Sequence, residues 1–210
     1  QALGRKNREE ANDYFHAILR ITIILSLILG VLFGILMTFR NPVIRALSRI
    51  YLEIVRIMPQ MVLLFLVFFG TTRVFGWDLN AEAASIIVFA FWGTAEMGDL
   101  VRGAVISVPK HQYESAFALG MTKSQIFFKV VLMQVVKRII PPMSNEIITL
   151  VKDTSLARVI AVSEILMQAT DFTSKGIIWP LFYTALFFLA FCGILTLLFN
   201  YIEKKFDYYR

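Results

Sequence analysis

Long stretches without a single charge constrain this chain more than any other feature. Residues 21–39 carry none for 19 residues, and residues 176–202 none for 27. About 20 residues of helix, at roughly 1.5 Å each, cover the ~30 Å hydrocarbon core of a bilayer. In that setting every backbone N–H and C=O must be satisfied within the segment, which leaves helices as the spanning element. Composition agrees: 58% of the residues are hydrophobic and 17% charged, with a mean hydropathy of +0.68. Soluble domains have more charge, and disordered chains have far less apolar content. The reading is an all-α integral membrane protein.

Five spans are predicted, over approximately 17–39, 55–75, 83–105, 139–162 and 177–202, forming one transmembrane domain over residues 1–210. Gly30 and Gly34 in the first run have the small-xxx-small spacing that lets another helix approach closely. Arg40 to Arg49 reads as a short basic loop opened by Asn41-Pro42. Gly76 to Asn80 reads as a wet turn. The fourth run is interrupted by Pro141-Pro142, Glu146 and Lys152-Asp153-Thr154-Ser155, and two short surface helices are its alternative reading. Residues 109–132 are polar and helical, with no spanning segment.

An odd number of spans puts the two ends on opposite sides. Of the 21 Lys and Arg, thirteen fall on the side of the first loop, the 109–138 segment and the C-terminus. The excess of basic residues marks the cytoplasmic side, so the N-terminus is predicted outside and the C-terminus inside. The cluster Arg5, Lys6 and Arg8 runs against that bias. No secretory pattern is read ahead of the first run. The formal charge is +6, but the basic residues sit at the ends of apolar runs as anchors, which excludes nucleic-acid binding. One cysteine, Cys192, and two separated histidines, His16 and His111, provide neither a disulfide nor a metal-ligand set.

The segment Tyr113-Glu114-Ser115-Ala116-Phe117-Ala118-Leu119-Gly120 predicts a helix of about two turns closed by a left-handed glycine. Glu114 lies in its first turn, favourable to the helix dipole. Small Ser115 and Ala116 leave room for another protein, and Phe117 is an apolar anchor. By the residues alone, such a helix either docks on a partner or caps the chain's own bundle. With Val130-Val131-Leu132 following Gly120 after nine intervening residues, the segment resembles the EAA loop of ABC importer permeases. Ser115, Val130 and Met133 stand where that pattern has Ala, Ile and Pro.

Tyr51-Leu52-Glu53-Ile54-Val55-Arg56-Ile57-Met58-Pro59 is similar to a stretch of the polar amino-acid branch of those permeases. So are Ala95-Glu96 with Arg102-Gly103, Ser107 to Gln112, and Pro141-Pro142 with Asn145. Lys152 to Leu156 followed by Glu164 completes the series.

The resemblance implies a type I ABC importer (MetI-like) permease in the cytoplasmic membrane of a prokaryote, carrying polar amino acids. It implies ATPase coupling through Glu114, Ser115, Ala116, Phe117 and Gly120. It also implies a second permease subunit, two cytoplasmic ABC ATPase subunits and an extracytoplasmic substrate-binding protein as partners. The chain has no Gly-x-x-x-x-Gly-Lys-Ser/Thr loop. ATP and Mg would therefore be held by the partner ATPase, and this chain would be neither an enzyme nor a cofactor carrier.

Ionisable residues inside a span are candidates for substrate contact. These are Glu96, Lys152, Asp153 and Glu164, with Thr154 and Ser155. A helix ending near Val151 and restarting at Thr154 would present backbone N–H groups to a substrate carboxylate, leaving Glu96 or Glu164 for the ammonium. The structural alternative is a salt bridge of Lys152 with Asp153 or Glu96. Competing functions are a permease for another small solute, an ATP-independent channel or secondary carrier, and a non-transporting scaffold.

Overall fold

The computed structural model describes residues 2–160, 162 and 165–206, with side chains from residue 17. Among the described residues every regular element is helical: α1 (Ala2–Met37), α2 (Pro42–Ile57), α3 (Gln60–Phe75), α4 (Ala81–Ile106), α5 (Lys110–Ala118), α6 (Lys123–Ile126), α7 (Leu132–Asp153), α8 (Ile165–Thr173) and α9 (Trp179–Phe206). A π-helical turn over Phe127–Val131 joins α6 to α7, and a 3-10 helix over Thr154–Ile160 follows α7.

The seam between α1 and α4 organises the bundle. Ser26 lies against Gly93, Gly30 against Met97 and Gly34 against Val101, so the two helices run parallel. The contact is as close as small residues allow: a methyl added at Gly30 would lie 2.5 Å from Met97 Cβ. Without a hydrophobic drive in lipid, helices associate through this kind of close van der Waals packing.

Parallel α1 and α4 require a return between them, and α2 with α3 makes it. Asn41 accepts from the Val43 N–H at 2.9 Å, and Pro42 fills the first turn of α2, where its missing N–H costs nothing. The predicted basic loop is therefore a helix. The predicted span 55–75 is divided: α2 and α3 meet at 103° across Met58-Pro59. Pro59 disfavours helical backbone at Met58, which is extended. After α3, Gly76 closes the helix in the left-handed region and Asn80 caps α4 by accepting from the Ala83 N–H.

The predicted fourth span, 139–162, is also corrected. α7 begins at Leu132, passes through Pro141-Pro142 without a break and ends at Asp153. It runs antiparallel to α4, with Leu150 near Gly93 at one end and Arg138 bonded to Ser107 at the other. α9 returns antiparallel to α7, so that Asn200 and Glu203 share a groove with Lys137 and Ile140. Only Thr184 of α9 is buried. Its apolar side chains are left for lipid or another subunit.

Three described helices are long and apolar enough to cross a membrane, Ala17–Met37 within α1, α4 and α9, or four if the bent α2–α3 pair counts as one span. α7 is excluded from that group by Lys137, Arg138, Glu146, Lys152 and Asp153.

Candidate functional site

Two regions gather the polar chemistry. The first lies between α4 and α7. Glu96 of α4 is within electrostatic reach of Glu146 on α7, and Glu146 also feels Asp153, two turns further along its own helix. All three side chains are partly exposed. Among the described residues the ion pairs are those of Asp99 with Arg56 and Arg102, so Lys152 bridges neither Asp153 nor Glu96. Lys152 still lies within electrostatic reach of Asp153, but no ion pair among the described residues accounts for Glu96 and Glu146.

The structure also reverses the expected polarity of the interruption. α7 does not restart at Thr154. Its carbonyl end is at Asp153, and the Thr154 hydroxyl donates back to the Val151 carbonyl at 2.7 Å. Thr154 and Ser155 continue as a buried 3-10 turn. Thr154 and Ser155 do not cap a helix N-terminus, so the break after Asp153 does not present the expected backbone N–H groups to a carboxylate. A helix C-terminus carries partial negative charge. Together with three carboxylates it favours a cation. Ser155 Oγ is buried without a hydrogen-bond partner, a costly arrangement for a hydroxyl unless water or a ligand meets it. Glu164 lies outside the described residues.

Glu146 was missed by the sequence reading, which treated it only as a break in apolarity. Its spacing of seven from Asp153 places both on one face of a helix, and that spacing was the available signal. Also missed was the pairing of Arg56 Nη2 with Asp99 Oδ2 at 2.6 Å, alongside Arg102 Nε to Asp99 Oδ1 at 3.2 Å. The Tyr51 hydroxyl donates to the Phe91 carbonyl at 2.5 Å. The Tyr-x-Glu-x-x-Arg stretch thus fastens α2 to α4.

The second region is α5. Its end is a Schellman motif: the Gly120 N–H reaches the Phe117 carbonyl at 2.9 Å and the Met121 N–H reaches the Ala116 carbonyl at 3.2 Å. Gly120 supplies the left-handed turn with φ of +78°. Glu114, Ser115, Phe117 and Gly120 are exposed. Ala116 is the exception. It is buried with Ala104, Val108, Ile126, Val131 and Val135, so it fastens α5 to the bundle and is withheld from any partner. Leu119 at the tip is 81% exposed and Phe117 68%. Two bulky apolar side chains at a loop tip need a covering surface. Beneath them Tyr113, Glu114, Phe117, Lys123, Ile126 and Phe127 line a mainly apolar cleft of about 540 Å³.

Comparison with known proteins places these features. The family model for inner membrane components of binding-protein-dependent transport systems matches residues 30–208. The L-cystine transport system permease protein TcyB of Bacillus subtilis (strain 168) is 32% identical over 193 residues, covering 89% of this chain and 82% of that protein. The probable glutamine ABC transporter permease protein GlnP of the same organism is 34% identical over 149 residues, covering 71% and 68%. A solved amino acid ABC transporter with histidines shares the fold, with a TM-score of 0.82 at 21% identity over 95% of this chain and 97% of that one. An inward-facing MetNI methionine ABC transporter gives 0.76 at 17% identity, over 92% and 93%. The all-helical, MetI-like architecture read from the sequence is the one these structures have.

Proposed function

The chain belongs to the family of inner membrane components of binding-protein-dependent transport systems, and on that footing we propose that it is the transmembrane permease subunit of an ATP-driven importer for polar amino acids. The names of its relatives, permeases for cystine and glutamine, support the solute class. The observation that carries the reading is α5, a nine-residue helix that turns Ala116 inward and holds Glu114, Ser115, Phe117 and Leu119 outward. A helix so short is not stable alone. The bundle fixes one face and leaves the other for a cytoplasmic ATPase, which binds the ATP and Mg that this chain has no loop to hold.

In this reading α1, α3, α4, α7 and α9 cross the bilayer in alternating directions, with the N-terminus outside. α5, α6 and the end of α9 lie inside, with Lys110, Lys123, Lys129, Lys204 and Lys205. α3 alone, at 16 residues, measures only about 24 Å, so it needs α2 at its inner end. α2 suits that place: Leu52 and Val55 pack inward, Val43, Leu47 and Ile54 face out as an apolar strip, and Arg45, Arg49 and Arg56 form the polar edge. A second permease subunit completes the pathway, and an extracytoplasmic binding protein delivers the solute. ATPase closure moves the paired α5 helices together and switches the cavity between outward- and inward-facing states.

Glu96, Glu146 and Asp153 line the solute path and hold its ammonium or a cationic side chain. Lys152 and Ser155 stand beside them.

The test is copurification with the candidate ATPase, followed by ATPase and uptake assays with binding protein and a panel of amino acids. Glu114→Lys, on the exposed face of α5, and Gly120→Val, which strains the left-handed turn at φ of +78° that ends it, should abolish association and accumulation. If both remain, the importer reading falls. Uptake by the purified permease without nucleotide would favour a secondary carrier instead.

A further inference from the structure

Below the cleft, two polar side chains of α7 reach across to the segment that carries α5. Gln134 Nε2 donates to Gln112 Oε1 in the first turn of α5 at 2.5 Å and to the Val130 carbonyl at 2.8 Å. One turn further, Arg138 Nη1 donates to Ser107 Oγ, just past α4, at 2.6 Å. The two grips fall on either side of Pro109. Val130 belongs to the π-turn Phe127–Val131, and such turns locally widen the helix and recur at functional sites.

We propose that Gln134 is a positioning residue of the transport cycle, clasping α5 to the membrane helix α7 so that displacement of α5 moves α7 instead of flexing the Pro109 and Gly120 turns. The inference rests on the coupling role proposed for α5.

The physical argument is one of direction. The cluster around Ala116, Val131 and Val135 holds α5 to α7 by contact area, which is non-directional. Apolar surfaces of this kind permit sliding. A side-chain amide has fixed donor directions. Gln134 uses both its N–H bonds at once, one to each partner, and therefore fixes the register of α5 on α7 at the π-turn. Gln112 and Gln134 are both partly exposed, so water would replace their bond readily. Its contribution to folding is small, and its use lies in transmitting motion. α7 in turn carries Glu146 and Asp153, so a rigid link from α5 reaches the carboxylates along one helix.

The test uses the whole complex, permease with its ATPase and binding protein, in liposomes, reading solute accumulated per ATP hydrolysed. Gln134→Leu and Gln112→Leu should each lower that ratio about threefold, the net effect of one lost neutral hydrogen bond, with assembly and thermal stability retained. Gln112→Glu keeps an acceptor for Gln134 Nε2 and should retain the wild-type ratio. The double Leu variant should be no worse than either single one, because both break the same contact. The proposal is overturned by an unchanged ratio in both Leu variants, by effects that multiply in the double variant, or by loss of assembly in both, which would make the clasp structural. A wild-type complex that accumulates solute without ATP would instead overturn the importer reading beneath it.

Discussion

Asp99 and Glu96 stand three residues apart on α4, and their surroundings are opposite. Asp99 is paired twice, with Arg56 from α2 and Arg102 from its own helix. Among the described residues Glu96 has no cation within ion-pair distance, and it faces a second carboxylate, Glu146, from α7. Like charges held near each other in a low dielectric repel, and a bundle that only needed to be stable would have no use for them. The paired charge of Asp99 joins α2 to α4. In the proposed function, the carboxylates left unpaired among the described residues are the ones offered to a ligand. The contrast separates architecture from function on a single helix.

The sharpest way to break that contrast is to neutralise the unpaired group. Glu146→Gln preserves shape and removes one charge. A hydrogen bond to a charged group is worth about 1.5–3 kcal/mol, so uptake of a cationic or zwitterionic solute should fall about 10- to 100-fold, and the combined change with Glu96→Gln should fall further. Thermal stability of the detergent-solubilised protein should hold or rise, since repulsion is relieved. A loss of stability with normal uptake would move both glutamates into the structural class.

A second measurement concerns the face of α4 turned to α1, where no charge is present. A Cβ at Gly34 would lie 2.5 Å from Val101 Cβ and 2.7 Å from the Gly98 carbonyl oxygen. Both are fixed to backbone, so Gly34→Val must push the helices apart. Overpacking of this kind costs about 1–3 kcal/mol. The unfolding temperature should drop, and uptake per folded molecule should change much less than in Glu146→Gln. Unaltered stability would show that the seam gives way more easily than its geometry implies.

What was legible in the sequence followed the same division. Residues 21–39 and 176–202 announce themselves because uncharged runs have few alternatives to a helix in lipid. The Gly30/Gly34 spacing pointed correctly to a close approach, though not to α4 as the partner. α5 was legible because Gly120 ends it by a local backbone rule. α2 was read as a loop because three arginines hid a helical pattern in which Ile44, Ser48, Leu52 and Val55 share a face. The polarity at Asp153 was misread for a different reason. Thr and Ser suit a helix N-cap, but Thr154 bonds backward to Val151, and nothing local decides between the two directions. Pairings across the bundle, such as Glu96 with Glu146 or Gln112 with Gln134, depend on tertiary packing and have no signature in a single sequence.

The smallest expected effect lies at the paired carboxylate. In the ion pairs of Asp99 its side chain is 28% exposed, and those of Arg56 and Arg102 are 47% and 43%. Water screens such pairs, and exposed ones contribute about 0–1 kcal/mol. Asp99→Asn removes the charge and one of the two acceptor oxygens, so one guanidinium keeps its hydrogen bond and the other turns to water; because these groups are exposed, stability should fall by about 1 kcal/mol or less. The solute preference across the amino-acid panel should not change, because Asp99 serves the α2–α4 joint and not the cluster between α4 and α7. A shift in which amino acids are accumulated would show that the two carboxylates act together, and that Arg56 and Arg102 belong to the solute path.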